Sequence, residues 1–162
     1  MHFVYRRVIR FQETDAAGVV YFANLLSLCH EAYEASLAES GIDLKRFFSG
    51  SGEAAVPIVH AEADFYQPLF CGDAIAIALT PQQLNPQSFE VTYAITAQAD
   101  TKAKKKGQTL LAKALTRHVC ISLRDEASAA SAVRAADAPN RRRRVLTAAL
   151  VDWIEGFAEL AD

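Results

Sequence analysis

Apolar and polar positions alternate from the start of the chain. Phe3, Tyr5, Ile9 and Phe11 fall on one side of residues 3 to 11 and Arg6 and Arg10 on the other, which predicts a strand. The period then changes. Asn24 is placed to cap a helix running through LLSLCHEAYEASLAES to Gly41, a natural C-terminal stop. Leu25, Leu28, Cys29, Ala32 and Ser36 follow helical spacing, whereas Leu26, Tyr33 and Leu37 lie off that stripe. Apolar groups all round predict a helix covered on most sides.

From Val56 to Leu123 the chain reads as strand. Residues 74 to 79 alternate Ala with Ile or Leu, and Phe89, Val91, Tyr93 and Ile95 share one face with Glu90 and Thr92 opposite. Pro81 and Pro86 are expected to bracket one turn and DTKAKKKGQ to form another, with TLLAKALTRHVCISL as the last strand. Short turns favour antiparallel neighbours. One long helix against a curled antiparallel sheet makes an α+β domain, and its open edges predict self-association. After Asp125 the composition shifts to the Ala- and Ser-rich EASAASAVRAADAPN, expected to be a loose linker. Then come Arg141 to Arg144 and a stripe of Val145, Leu146, Ala149, Leu150, Trp153, Ile154 and Phe157, an amphipathic C-terminal helix.

Composition narrows the classes. With 162 residues, 51% of them hydrophobic, the chain can build one full core and not two. A net charge of -2 gives no general attraction to nucleic acid or anionic membrane. No apolar run approaches the length that spans a bilayer, and the N-terminus lacks a signal peptide's pattern. Cys29, Cys71 and Cys120 form no CxxC pair, which points to a reduced, cytoplasmic protein.

Standard catalytic signatures are absent: there is no GxSxG, GxGxxG or phosphate loop, and the four histidines show no metal-site spacing, so no metal is expected. His30 reads either as a base or as a hydrogen-bonded structural group on the helix. His60, mid-strand, faces either a ligand or a partner subunit. Lys104 to Lys106 and Arg141 to Arg144 read either as solvated surface or as contacts to ligand phosphates. Asp15 is set apart by its neighbours. It ends a strand, precedes Ala16, Ala17 and Gly18, and stands a few residues before a helix whose first N–H groups have no internal partner. A carboxylate beside a helix N-terminus is a minimal device for acyl transfer. The same residue could equally serve as a turn or cap.

At this stretch TDAAGVVYFANLL resembles the 4-hydroxybenzoyl-CoA thioesterase family of hotdog-fold proteins: Asp, two small residues, Gly, two aliphatics, two aromatics, then Asn on the central helix. Asp15, Gly18, Val19, Val20, Tyr21, Phe22 and Asn24 carry the match, and ADFYQPLFCGDAI fits a second family pattern. CHEAYEASL, PIVHAEADF, CGD and RHVCISL further resemble the branch that hydrolyses 1,4-dihydroxy-2-naphthoyl-CoA on the phylloquinone route, with His30 standing where many other relatives carry an acid.

The resemblance implies a five-stranded antiparallel sheet wrapped around a helix from about Asn24 to Ser40. A hotdog domain would span residues 1 to 124, with the linker and terminal helix over 125 to 162. It also implies a dimer that joins two sheets, usually paired again into a tetramer, and an acyl-CoA substrate with no separate cofactor. Asp15 would attack the thioester carbonyl or activate a water. The backbone N–H of Phe22, helped by Gly18 or Tyr21, would polarise the carbonyl oxygen. Val19, Val20, Tyr21 and Phe22 form walls suited to a flat ring, and His30, Glu31 and His60 are candidate partners for its hydroxyls. Alternatives are a general acyl-CoA or acyl-carrier-protein thioesterase, and a non-catalytic acyl-CoA-binding module. A hotdog dehydratase lacks its paired His and acid here, and an RNA-binding protein lacks an aromatic-plus-basic strand motif.

Overall fold

The computed structural model describes residues 3–50, 52, 54–98, 109–123 and 143–158. Strand β1 (Val4–Val8) leads through one 3-10 turn (Phe11–Glu13) into helix α1 (Phe22–Glu39) and the four-residue helix α2 (Leu44–Phe47). Then follow β2 (Ala54–Ala55), β3 (Ile58–Phe65), β4 (Ala74–Asn85), β5 (Ser88–Ala97), β6 (Leu110–Val119), β7 (Ile121–Ser122) and helix α3 (Ala148–Ala158). Five strands form one antiparallel sheet in the order β1-β4-β5-β6-β3, while β2 and β7 make a small separate ribbon. The sheet packs on α1, as the hotdog fold requires.

The inward faces follow from the alternation. Ile75, Ile77 and Leu79 of β4 and Phe89, Val91, Tyr93 and Ile95 of β5 are all buried, with Ile77 paired to Ile95 and Leu79 to Tyr93. α1 meets them with Leu25, Leu28, Cys29, Ala32, Tyr33, Ser36 and Leu37. Those positions are spaced three and four apart, so Tyr33 and Leu37 belong to the buried stripe after all. Glu31, Ala38 and Ser27 on the other side are exposed. The helix is therefore one-sided in this chain and not covered on most sides. Gly41 ends it as expected. At φ 87° it takes the left-handed turn that a side chain disfavours, and Ile42 N–H then donates to the Leu37 carbonyl at 3.0 Å.

Two expectations need correction. α1 begins at Phe22 with Tyr21 as its cap residue, so Asn24 lies inside the first turn and does not cap it. The proline-bracketed turn is also shorter, because β4 continues through Pro81, opposite Val91, and just Pro86 and Gln87 lie between β4 and β5. Pro81 is tolerated because β1 pairs with β4 only from Ala74 to Ala78, so β4 has one neighbour there. The turn expected over DTKAKKKGQ, the linker EASAASAVRAADAPN and Arg141 with Arg142 lie outside the described residues.

The amphipathic C-terminal helix is present, and it is part of the same core. Leu146, Leu150, Trp153 and Ile154 are buried among the sheet and α1 residues. Leu146 N–H donates to the Pro86 carbonyl at 2.8 Å and Arg144 N–H to that of Cys120 at 2.9 Å, which docks the segment on the β4–β5 turn and the end of β6. Each such buried side chain contributes about 1.5–3 kcal/mol. Val145, expected on the stripe, is exposed.

Candidate active site

Asp15 sits in a tight turn between the 3-10 turn and α1. Its N–H donates to the Val19 carbonyl at 2.9 Å and its carbonyl accepts the Gly18 N–H at 3.0 Å. Gly18 holds φ 79°, the left-handed conformation that lets the chain reverse here. The carboxylate is held by one oxygen only: Oδ1 accepts the Ala17 N–H at 2.8 Å. The other oxygen has no partner among the described residues, and the side chain is exposed. An Asx-type clip of this kind fixes a carboxylate without neutralising it.

Seven residues after Asp15, α1 begins. Phe22 is its first residue, and its N–H has no acceptor among the described residues. The two other expected donors are committed. Gly18 N–H closes the Asp15 turn and Tyr21 N–H donates to the Glu13 carbonyl at 2.9 Å. Phe22 is thus the donor left for a substrate oxygen, and the helix start adds positive potential. Gly18 contributes backbone shape instead.

Asp15 and Phe22 open onto one shallow groove of about 490 Å³, lined by Asp15, Val19, Val20, Tyr21 and Phe22 on one side and Phe65, Tyr66, Gln67 and Pro68 on the other. The aromatic rings are bare: Phe22 is 64% exposed and Tyr66 53%, values far from those of core aromatics. Tyr21 and Phe22 stand 4.7 Å apart, tilted by 57°. Val20 lines the groove with little surface, being mostly in the core. Residue types alone do not assign the wall from Phe65 to Pro68 to the site. Its signal was the ADFYQPLF string, which reads as a turn before Gly72 unless its rings are followed into space.

His30, Glu31 and His60 are not brought to Asp15 within this chain. His30 lies 5.6 Å from the Tyr33 ring and 3.4 Å from Glu34. Glu31 is ion-paired with Arg7 and accepts the Tyr5 hydroxyl at 3.4 Å. His60 is exposed on β3, 3.4 Å from Glu62. Cys29 is no nucleophile, since burial pushes its thiol up to about 12. His118 is buried behind α1. Burial pulls it down to about 4, so the neutral ring donates from Nδ1 to the Val56 carbonyl (3.2 Å) and accepts at Nε2 from Thr116 (3.0 Å).

A hotdog sheet whose helix begins bare beside an exposed carboxylate fits one class, the thioesterases that cleave acyl thioesters. The chain belongs to the thioesterase-like superfamily, whose family model matches residues 9–153. A 1,4-dihydroxy-2-naphthoyl-CoA hydrolase of Nostoc punctiforme is 45% identical over 155 residues, covering 96% of this chain and 88% of the relative. One of Crocosphaera subtropica is 57% identical over 118 residues, covering 73% and 81%. Among solved structures, a 1,4-dihydroxy-2-naphthoyl-CoA thioesterase from Synechocystis is 34% identical with a TM-score of 0.75, covering 98% of both chains.

Proposed function

We propose that this protein hydrolyses 1,4-dihydroxy-2-naphthoyl-CoA to 1,4-dihydroxy-2-naphthoate and CoA, the thioesterase step of phylloquinone biosynthesis. The observation that carries the reading is the single groove that holds the Asp15 carboxylate, the unpaired Phe22 N–H and exposed aromatic walls. The relatives named for that activity give the acyl group. The thioester carbonyl lies against the start of α1, where the Phe22 N–H meets the charge that develops on oxygen. Asp15 either attacks the carbonyl carbon, expelling CoA thiolate and leaving a mixed anhydride for water to open, or removes a proton from the water that attacks. In ¹⁸O-water, repeated turnover labels the Asp15 carboxylate only on the first route.

The partner and the compartment belong to the same proposal. β3 is an edge strand, exposed along nearly its whole length, with Ile58, Val59 and Phe65 open to solvent. A second copy paired there would cover that edge and close the groove. It would also give His60 and the hydroxyl-binding roles of His30 and Glu31 a route to the substrate from across the interface. No described helix is long and apolar enough to cross a membrane. Three free cysteines suit a reducing cytoplasm. The test is thiol release from a panel of esters. The expected order in kcat/KM is 1,4-dihydroxy-2-naphthoyl-CoA, then benzoyl-CoA, then palmitoyl-CoA far behind, since a flexible chain loses more freedom in a flat slot. A preference for palmitoyl-CoA refutes the naphthoyl assignment.

A further inference from the structure

Directly beneath the Asp15 turn lies a buried charge that the reaction itself does not use. Glu13 is only 8% exposed. A lone carboxylate there would be costly, and it is matched on both oxygens: Oε1 is ion-paired with Arg7 and Oε2 accepts the Arg10 N–H at 2.7 Å. Arg7, itself nine-tenths buried, also holds Glu31 on α1. Burial pulls the Arg7 guanidinium down, and the two carboxylates more than offset this, so its pKa is raised and the charge is permanent. The main chain of the same residue points the other way. The Glu13 carbonyl accepts both the Tyr21 N–H and the Asn24 Nδ2 at 2.9 Å, the last residue before α1 and one in its first turn.

Residue 13 therefore ties three things together. Its side chain is fixed to β1, its carbonyl to the start of α1, and two residues on is Asp15. The Thr14–Val20 bridge closes the loop between them. From this we infer that Glu13, clamped by Arg7, is the positioning residue that sets the distance between the Asp15 carboxylate and the Phe22 N–H. Apolar side chains in place of both Glu13 and Arg7 could fill the space about as stably, because a buried ion pair contributes little net stability, whereas loss of one partner strands the other. What the pair adds is direction, and a misplacement of about 1 Å can cost a reaction about 100-fold.

The inference rests on the thioesterase reading, and its test separates the two. Glu13→Gln keeps shape and one acceptor but removes the charge that Arg7 grips. The expected result is a kcat lower by about 10- to 100-fold with KM changed less than about 3-fold, together with faster hydrogen exchange at the Tyr21 amide. A merely structural role would lower the melting temperature and leave kcat per folded molecule alone. Arg7→Lys, which keeps one charge but not the two-carboxylate bridge, should show a smaller kcat loss of the same kind and carries the test if Glu13→Gln does not fold. A folded variant with kcat within about 2-fold of the parent enzyme, or one whose whole loss lies in KM, overturns the inference alone. If the parent chain releases no thiol from any aromatic acyl-CoA, the functional reading falls and the inference falls with it.

Discussion

The two ends of α1 are both rich in aromatic rings and could hardly be less alike. At the C-terminal half, the rings of His118 and Trp153 each pack on those of Tyr33 and Phe89 at 4.6 to 5.9 Å, with His118 stacked on Phe89 at 4.6 Å and α3 closed over them. Their polar atoms are only partly paired: His118 joins Tyr93, Thr116 and the Val56 carbonyl in one hydrogen-bonded line, whereas the Tyr33 hydroxyl and the Trp153 Nε1 are buried with no partner among the described residues. At the N-terminal end, Tyr21, Phe22, Phe65 and Tyr66 stay open around Asp15, and a backbone N–H goes unpaired. Sealed aromatics are core, and each adds stability. Aromatics left in solvent beside an unpaired donor and a half-clipped carboxylate mark the place where a ligand completes the structure. Buried packing is concentrated at one end of the helix and the candidate site at the other.

Mutations should separate them as well. The largest effect belongs to the open end. Asp15→Asn keeps the Ala17 clip but removes charge and nucleophilicity, and should lower kcat by about 10²–10⁴ with an unchanged urea midpoint. A mutant as active as the parent would remove the mechanism. At the sealed end, Trp153→Ala should cost about 3–5 kcal/mol in urea unfolding by leaving a cavity beneath α3, while kcat per folded molecule stays within about 3-fold.

Acid titrates the sealed end too. His118 is lowered from 6.5 to about 4 by burial, so between those values the unfolded chain binds a proton that the native one refuses. Stability should therefore fall as pH drops from 6.5 to 4, by about 3 kcal/mol in the limit, and then level off as far as this group is concerned. His118→Asn, less stable at pH 7, should show a flatter slope across that window. An identical slope would assign the acid loss to other groups. The smallest effect is expected from Phe22→Ala. It should lower kcat/KM about 10-fold through the lost wall while unfolding stays within about 0.5 kcal/mol, the usual range at an exposed position.

The two ends also differ in how far they could be read from the sequence. The strand alternation at 74 to 79 and 89 to 95 shows which faces point inward, and Asp15 with Gly18 and the following aromatics points to the stretch that lines the groove. What escaped depended on geometry that residue types do not encode. Asn24 has the chemistry of a cap, but the chain enters α1 two residues earlier and its amide serves Glu13 instead. Tyr33 and Leu37 lie four and eight residues after Cys29, so they widen the buried stripe that starts at Leu25. The second wall of the groove comes from the end of β3 and the turn after it, some 50 residues from Asp15 in the chain, and the Val19–Phe70 bridge with the Val20 N–H on the Leu69 carbonyl holds it there. The C-terminal helix was legible as amphipathic. That its partner is the Tyr33–Phe89–His118 cluster was not, because pairing between distant segments leaves no local periodicity.

The most direct measurement is a crystal structure of Asp15→Asn with 1,4-dihydroxy-2-naphthoyl-CoA bound. The account expects the thioester carbonyl oxygen at about 3 Å from the Phe22 nitrogen, the residue-15 side chain beside the carbonyl carbon, and the ring system against Tyr21, Phe22 or Tyr66. A second cavity of about 820 Å³ lies at the other end of α1, between Ser40, Phe47 and Trp153. A substrate seated there, with its thioester away from Phe22, would contradict the account.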